Sequence, residues 1–218
     1  MVFGKLVRSR FRRDKAEEGR RLERPADLLA GDLVSFKHRL ALPEEVQGCT
    51  FEVASVATYQ YESGIEVQFT LVGEDGAKFY LGLDPKESQP ELCLSRDLRR
   101  KDVLKLFDED AFAVLWDEDE FAELDVEEPL ERYAGWLADG YSQVTKDAVG
   151  FYYDRDCRGE TLSMRQDDDS EELRYHECEG SNDSFGLSVE IWGDGDTDVS
   201  LEVYCGAEVI EAMWPGDG

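Results

Sequence analysis

The chain has 218 residues, of which 41% are hydrophobic, and a formal net charge of −27. This length and composition suffice for one large domain or two small ones with a hydrophobic core. No stretch approaches the roughly 20 apolar residues of a membrane-spanning helix, and the apolar core of a signal peptide is missing. The five cysteines form no CxxC pair. These features exclude an integral membrane protein of the helical class and predict a reducing, cytoplasmic location.

The charge is unevenly distributed along the chain. Residues 1–24 carry nine Lys/Arg and four Asp/Glu, whereas the remaining residues carry 15 and 47. An acidic body repels nucleic acid and anionic lipid, and a basic tail attracts both. We therefore expect no direct binding of nucleic acid by the acidic body. Adaptation to a salty cytoplasm is an alternative explanation of the acidity.

The segment 1–24 is predicted to be a basic amphipathic tail followed by a linker. A short helix places an apolar stripe beside basic residues. The residues expected to contact a partner or a membrane are Phe3, Leu6, Arg8, Phe11, Arg12 and Arg13. One interpretation is a weak hook on the anionic inner membrane surface or on a protein partner. The alternative is a solvated tail, because Gly4 weakens the helix.

Residues 25–94 are predicted to form an N-terminal β meander. Strands are expected at 33–37, 50–58, 65–71 and 77–83, because apolar and polar residues alternate there. Glycine-rich turns separate the last three strands.

Residues 95–140 are predicted to form a helical acidic connector. A helix is expected from Ser95 or Asp97 to Phe107, and a second over 127–137 with a proline in its first turn. Two short strands, 111–116 and 121–126, are expected around an acidic turn.

Residues 141–218 are predicted to form a C-terminal antiparallel β meander, and 185–205 carries its clearest pattern. Apolar residues at odd positions alternate with polar residues on both sides of a turn, which indicates a half-buried hairpin with its polar faces in water. Because paired residues share a face and the apolar residues of both strands have odd numbers, the loop must contain an odd number of residues, either 194–196 or 194–198. The predicted fold class is α+β, mostly antiparallel β, with two β-meander halves joined by the connector. The two halves show no convincing sequence repeat.

Residues 30–86 resemble the bacterial domain-of-unknown-function family 4178. The resemblance is carried by the segments Gly31-Asp32-Leu33-Val34, Thr50-Phe51-Glu52-Val53, Phe69-Thr70-Leu71 and Phe79-Tyr80-Leu81. It implies a small β module of a bacterial protein, encoded near membrane-stress genes of the phage-shock-protein-A type and near genes of polyamine enzymes. It implies no catalytic residues.

Candidate sites for chemistry are few. Asp194, Asp196 and Asp198 have the alternate spacing of calcium-loop carboxylates, but the later ligands of such a loop are missing, so an ordinary acidic turn is favoured. His176 and Cys178 share a strand face and could form a thiolate pair, although a sheet face near Glu190 and Glu202 is the favoured interpretation.

Two aromatic residues, Trp192 and Tyr204, fall on the polar side of the final hairpin. They are predicted either to lie beneath the connector helices or to form an exposed patch for a partner.

These observations together predict a non-enzymatic interaction or accessory protein. It would be cytoplasmic, peripheral at the inner membrane through its tail, and part of an envelope-stress system. Alternatives are an acidic nucleic-acid mimic that inhibits a DNA- or RNA-binding partner, and an enzyme of unfamiliar type. No cofactor is predicted.

Overall fold

A computed structural model of the chain describes residues 20–84 and 91–216. Within these residues, the strands are β1 (Leu33–Phe36), β2 (Thr50–Tyr61), β3 (Gly64–Val72), β4 (Lys78–Asp84), β5 (Glu91–Asp97), β6 (Glu123–Asp125), β7 (Gly140–Tyr153), β8 (Glu171–Gly180), β9 (Phe185–Trp192), β10 (Thr197–Gly206) and β11 (Ile210–Trp214). The α-helices are α1 (Arg100–Leu106) and α2 (Glu109–Ala113). Four 3-10 turns lie at Pro25–Asp27, Val114–Trp116, Glu131–Tyr133 and Ala207–Val209.

Eight of the strands close into an antiparallel barrel with the order β2-β3-β4-β5-β10-β9-β8-β7. Two long-range pairings close it. β5 pairs with β10 with Leu94 opposite Val203, and β7 returns to β2 with Tyr152 opposite Tyr59. β1 and β11 extend the sheet beyond β2, and β6 extends it beyond β7.

The two halves of the chain have the same connectivity. Strands β1–β5 form one meander and β6–β10 form the other. The fifth strands of the two halves, β5 and β10, pair with each other, and so do the second strands, β2 and β7. This is a repeat of topology that the sequence did not reveal. Alternation of polar and apolar residues is enough to specify each strand, so the two halves need no residue-by-residue similarity.

The polar faces of the barrel strands point into the barrel, and their apolar faces point outward. In β9, Ser188 and Glu190 line the interior, while Val189 is fully buried on the outside. A register shift between Val53 and Ser55 lets β2 also keep its polar side chains inside the barrel and its apolar ones outside. Val53 belongs to the outer core and Ser55 to the interior.

The outer apolar face is covered by the segment between β5 and β7 and by the N-terminal segment. Trp136 stacks on Phe79 of β4, with ring centroids 5.6 Å apart, and Phe107 contacts the edge of Tyr141. Leu28 from the N-terminal segment joins the same fully buried cluster. The main hydrophobic core therefore lies outside the barrel, and the barrel interior is left to polar side chains.

The predicted α+β fold with a helical connector is wrong, because the chain forms one mostly β barrel. Residues 95–97, expected to begin a helix, belong to β5. Leu94 on this strand is fully buried in the outer core, and the ladder with β10 outweighs the local helical preference. Ser95, the first predicted cap, is paired in the sheet, and α1 begins at Arg100 with Arg99 as its N-cap residue, four residues after Ser95.

The rest of the connector also differs from the prediction. Residues 111–116, expected to be a strand, lie in α2 and the following 3-10 turn, because the Asp108 carboxylate accepts a hydrogen bond from the Ala111 amide and caps the helix. Residues 127–137, expected to be a helix, contain only a 3-10 turn. In the described part of the chain, no helix has the length and apolar character needed to cross a membrane.

The final hairpin forms, but its loop and its surroundings differ from the prediction. Val189 lies opposite Val199, so the odd-length loop is centred on Asp194 instead of beginning there. Gly195 has a φ of +90°, which a three-residue loop of this kind requires and which glycine adopts without strain. The polar face of the hairpin lines the barrel interior instead of facing bulk water.

Candidate functional site

The barrel interior contains two neighbouring chambers. The wide chamber has a volume of about 800 Å³ and reaches the end of the barrel at the β9–β10 turn. The narrow chamber, of about 240 Å³, lies towards Tyr61 and Tyr175. Six residues line both chambers, and we call them the shared wall: Tyr59, Gln68, Ser95, Ser188, Glu190 and Glu202.

The shared wall contains two carboxylates on neighbouring strands. The Tyr59 hydroxyl donates a hydrogen bond to Glu190 Oε2 at 3.4 Å. The Tyr204 hydroxyl donates to Glu202 Oε2 at 2.6 Å. Gly186 lies directly opposite Glu202, and a Cβ there would be 2.5 Å from Glu202 Oε2. The glycine therefore provides the space that this carboxylate occupies.

Both carboxylates have raised pKa values. Burial, followed by the charges of Glu202 and Asp198, raises the pKa of Glu190 to about 8. Burial, with the charges of Glu177 and Glu66, raises the pKa of Glu202 to about 7. In each case the tyrosine hydrogen bond lowers the pKa, but it does not offset burial. Both side chains are only half-buried, because the chambers are wide enough to admit water.

The interior has few positive charges to balance these acids. In the described residues, the wide chamber is lined by eight carboxylate side chains but by only two basic ones, Lys78 and Arg100. Lys78 lies over the Tyr80 ring at 4.6 Å. Within the same part of the chain, neither Glu190 nor Glu202 forms an ion pair.

Aromatic rings form a second component of the interior. The Tyr59 ring packs on Tyr152 at 5.2 Å between centroids, and Tyr152 packs on Trp192 at 5.5 Å. Burial, followed by the charge of Asp154, raises the pKa of Tyr152 to about 12, so this phenol stays neutral at physiological pH. The Trp192 indole donates a hydrogen bond to Asp198 Oδ2 at 2.9 Å, which orients the ring at the chamber wall.

This combination of groups favours binding of a positively charged molecule. Carboxylates attract an ammonium group electrostatically, and aromatic faces attract it through their π-electrons. The volume of the wide chamber falls in the range of small-molecule sites. Burial raises the pKa of the Cys93 thiol well above its usual range, so this cysteine of the narrow chamber is held as the weakly nucleophilic thiol.

The aromatic residues singled out by the sequence belong to this interior. Trp192 lines the wide chamber and Tyr204 the narrow one, and both are half-buried. Neither is covered by the connector, since the face that carries them closes on the other strands of the barrel. The residues Phe3, Leu6, Arg8, Phe11, Arg12 and Arg13 lie outside the described residues.

The three aspartates of the β9–β10 turn lie at the mouth of the wide chamber. Asp194 Oδ1 accepts a hydrogen bond from the Asp196 amide at 2.9 Å, and Asp198 accepts from Trp192. In residues 20–84 and 91–216, no group of three or more His, Cys, Asp or Glu side chains is arranged to hold a metal ion.

His176 and Cys178 are not on the face of Glu190 and Glu202. They lie on the outer face of β8, where both are buried. His176 Nδ1 lies 3.0 Å from Gln143 Nε2 and 3.3 Å from the Asp147 amide. Because both neighbours are donors, the ring accepts at Nδ1 and carries its proton on Nε2. The centroid of the His176 ring lies 5.6 Å from that of the Trp116 ring. This pair is part of the fold outside the chambers.

No protein-family model, curated protein or solved structure matches the chain. The resemblance of residues 30–86 to family 4178 therefore stays a prediction, together with the envelope-stress association that it implies.

Sequence reasoning missed the position of Glu190 and Glu202 inside a barrel. A usable signal was present, because the polar face of the final hairpin carries Trp192, Tyr204 and Gly186 beside the two acids. Aromatic rings and a glycine are unusual on a face that looks only to water. Their presence indicated that this face is enclosed.

Proposed function

We propose that the protein is a non-enzymatic binding protein whose barrel interior holds a small organic cation. The observation that carries the proposal is the shared wall, where two carboxylates that form no ion pair within the described residues face aromatic rings inside a chamber of about 800 Å³. This is the chemistry that recognises an ammonium group. The proposal keeps the predicted accessory role and adds a ligand class.

The states of the described cysteine and histidine favour binding over catalysis. The Cys93 thiol has a raised pKa, and His176 lies on the opposite face of the sheet. The raised pKa of Glu190 is itself explained by burial and by neighbouring acids. An acidic interior of this kind attracts a positive counter-charge.

Isothermal titration calorimetry with a matched set of small molecules tests this function. Choline and 1,4-diaminobutane should give saturable one-to-one binding, whereas 1,4-butanediol and succinate, of similar size but neutral and anionic, should not bind. Binding of all four, or of none, would contradict the proposal.

Variants locate the site. Replacing Glu190 and Glu202 together by Gln removes both charges and keeps the side-chain shape, and it should weaken choline binding at least tenfold, about 1.4 kcal/mol. The matched control replaces Glu118 and Glu128, two exposed acids outside the chambers, by Gln. This control has the same net charge as the first variant, so equal weakening in both would indicate a general effect of charge.

A further inference from the structure

The acids that surround Glu190 come from several strands. Asp198 lies directly opposite it on β10, Glu202 is on the same strand, and Asp97 comes from β5. The phenols that face it are Tyr59 and Tyr61 from β2, Tyr80 from β4, Tyr152 from β7 and Tyr175 from β8. The basic side chains in the wide chamber are Lys78 and Arg100.

Glu202 has a similar environment. Tyr204 donates a hydrogen bond to it, and Ser95 lies opposite it on β5. The further titratable groups around it are Glu177 on β8, Glu66 on β3 and Cys93 on β5. No element that packs against this carboxylate in the described chain brings a lysine or arginine to it.

Two carboxylates in such a space repel each other, and ionising both without a counter-charge is costly. In the absence of a ligand, a proton is the smallest cation that removes the repulsion, and a half-buried chamber disfavours the alternative of two hydrated anions. An ammonium ligand supplies the same positive charge when it lies within hydrogen-bond or van der Waals distance of the carboxylates.

We propose that the barrel interior binds its organic cation in exchange for protons held by Glu190 and Glu202. This inference rests on the proposed function and concerns the regulation of the same site. In the exchange, a neutral carboxylic acid releases its proton to the solvent, the carboxylate remains, and the ligand's positive charge takes the place of the proton. Release of one proton for each bound ligand leaves the net charge of the interior unchanged, and release of a second proton makes it one unit more negative.

The exchange makes affinity depend on pH. The pKa values of about 8 and about 7 place both acids largely in the neutral form at pH 6.5 and in the ionised form above pH 9. Choline affinity should therefore increase as the pH rises from 6.5 and level off above pH 9. The increase per pH unit is about tenfold for each proton released.

Choline is the appropriate probe because its quaternary ammonium carries a charge that does not titrate. The full-length protein is titrated with choline at pH 6.5 in two buffers of different ionisation enthalpy, and the difference in heat gives the number of protons released. We expect between one and two protons per choline at pH 6.5 and close to none at pH 9.5, by linkage.

The outcomes separate the two proposals. Choline binding without proton release at pH 6.5 would overturn the exchange and leave the proposed function standing. Failure of all cationic probes to bind would overturn both. Glu190→Gln should bind choline more weakly and release about one proton fewer, whereas Glu118→Gln should release as many as the unchanged protein. Equal proton release by Glu190→Gln and the unchanged protein would also overturn the exchange.

Discussion

Replacing Glu190 by Gln should stabilise the folded protein at pH 8, although it removes a residue of the candidate site. The carboxyl has an ordinary pKa of 4.5 and a pKa of about 8 in the folded chain. The folded state therefore favours the neutral form of the Glu190 carboxyl. Its contribution to stability is fully present below pH 4.5 and is lost as the pH rises towards 8. Glutamine is neutral at every pH and can accept the same hydrogen bond from Tyr59.

The size of the effect follows from the two pKa values. Each pH unit between them corresponds to about 1.4 kcal/mol, so ionised Glu190 costs the folded state roughly 4 kcal/mol at pH 8. Water in the wide chamber screens part of this cost. We therefore expect Glu190→Gln to raise the free energy of unfolding by about 1–4 kcal/mol at pH 8.

Urea unfolding at pH 5.5 and pH 8 measures this difference. The gain from Glu190→Gln should be larger at pH 8 than at pH 5.5, where the glutamic acid is already largely neutral. Glu118→Gln, an exposed acid outside the barrel, serves as the matched control and should change stability little at either pH. A Glu190→Gln protein that is less stable than the unchanged protein at pH 8 would refute the reasoning.

Three further predictions concern the outer face and the tail. Burial lowers the pKa of His176, so a histidine NMR titration should show its neutral form persisting below pH 6.5, and a pKa above 6.5 would contradict its placement in the core. Val189→Asp buries an unpaired charge in the outer core and should cost several kcal/mol in urea unfolding, whereas Val144→Asp, at a site 47% exposed, should cost much less. If the tail is a lipid hook, the full chain should float weakly and salt-sensitively with anionic vesicles, and removal of residues 1–19 should abolish this flotation. The shortened chain keeps the ion pair between Arg20 and the buried Asp32. Equal flotation of the full and shortened chains would exclude the lipid hook.

The alternating sequence of the final hairpin determined a great deal without any tertiary information. It specified two strands, an odd-length connection and the residues that share each face, because side chains in a strand alternate with a period of two. The same reasoning located β3, β4 and most of β1 and β2. Local spacing is sufficient for such features, since they depend on neighbours within a few residues.

The enclosed polar interior was decided only by the tertiary structure. An alternating strand shows that one face is apolar, but it does not show whether the apolar face is covered from inside or from outside a barrel. Here β5 pairs with β10 and β7 with β2, and residues such as Trp136 cover the outside. The two strand pairings join residues 91 to 115 positions apart, and no local pattern encodes them. The raised pKa of Glu190 depends on that closure, because its neighbours Tyr59 and Asp97 come from the other half of the chain.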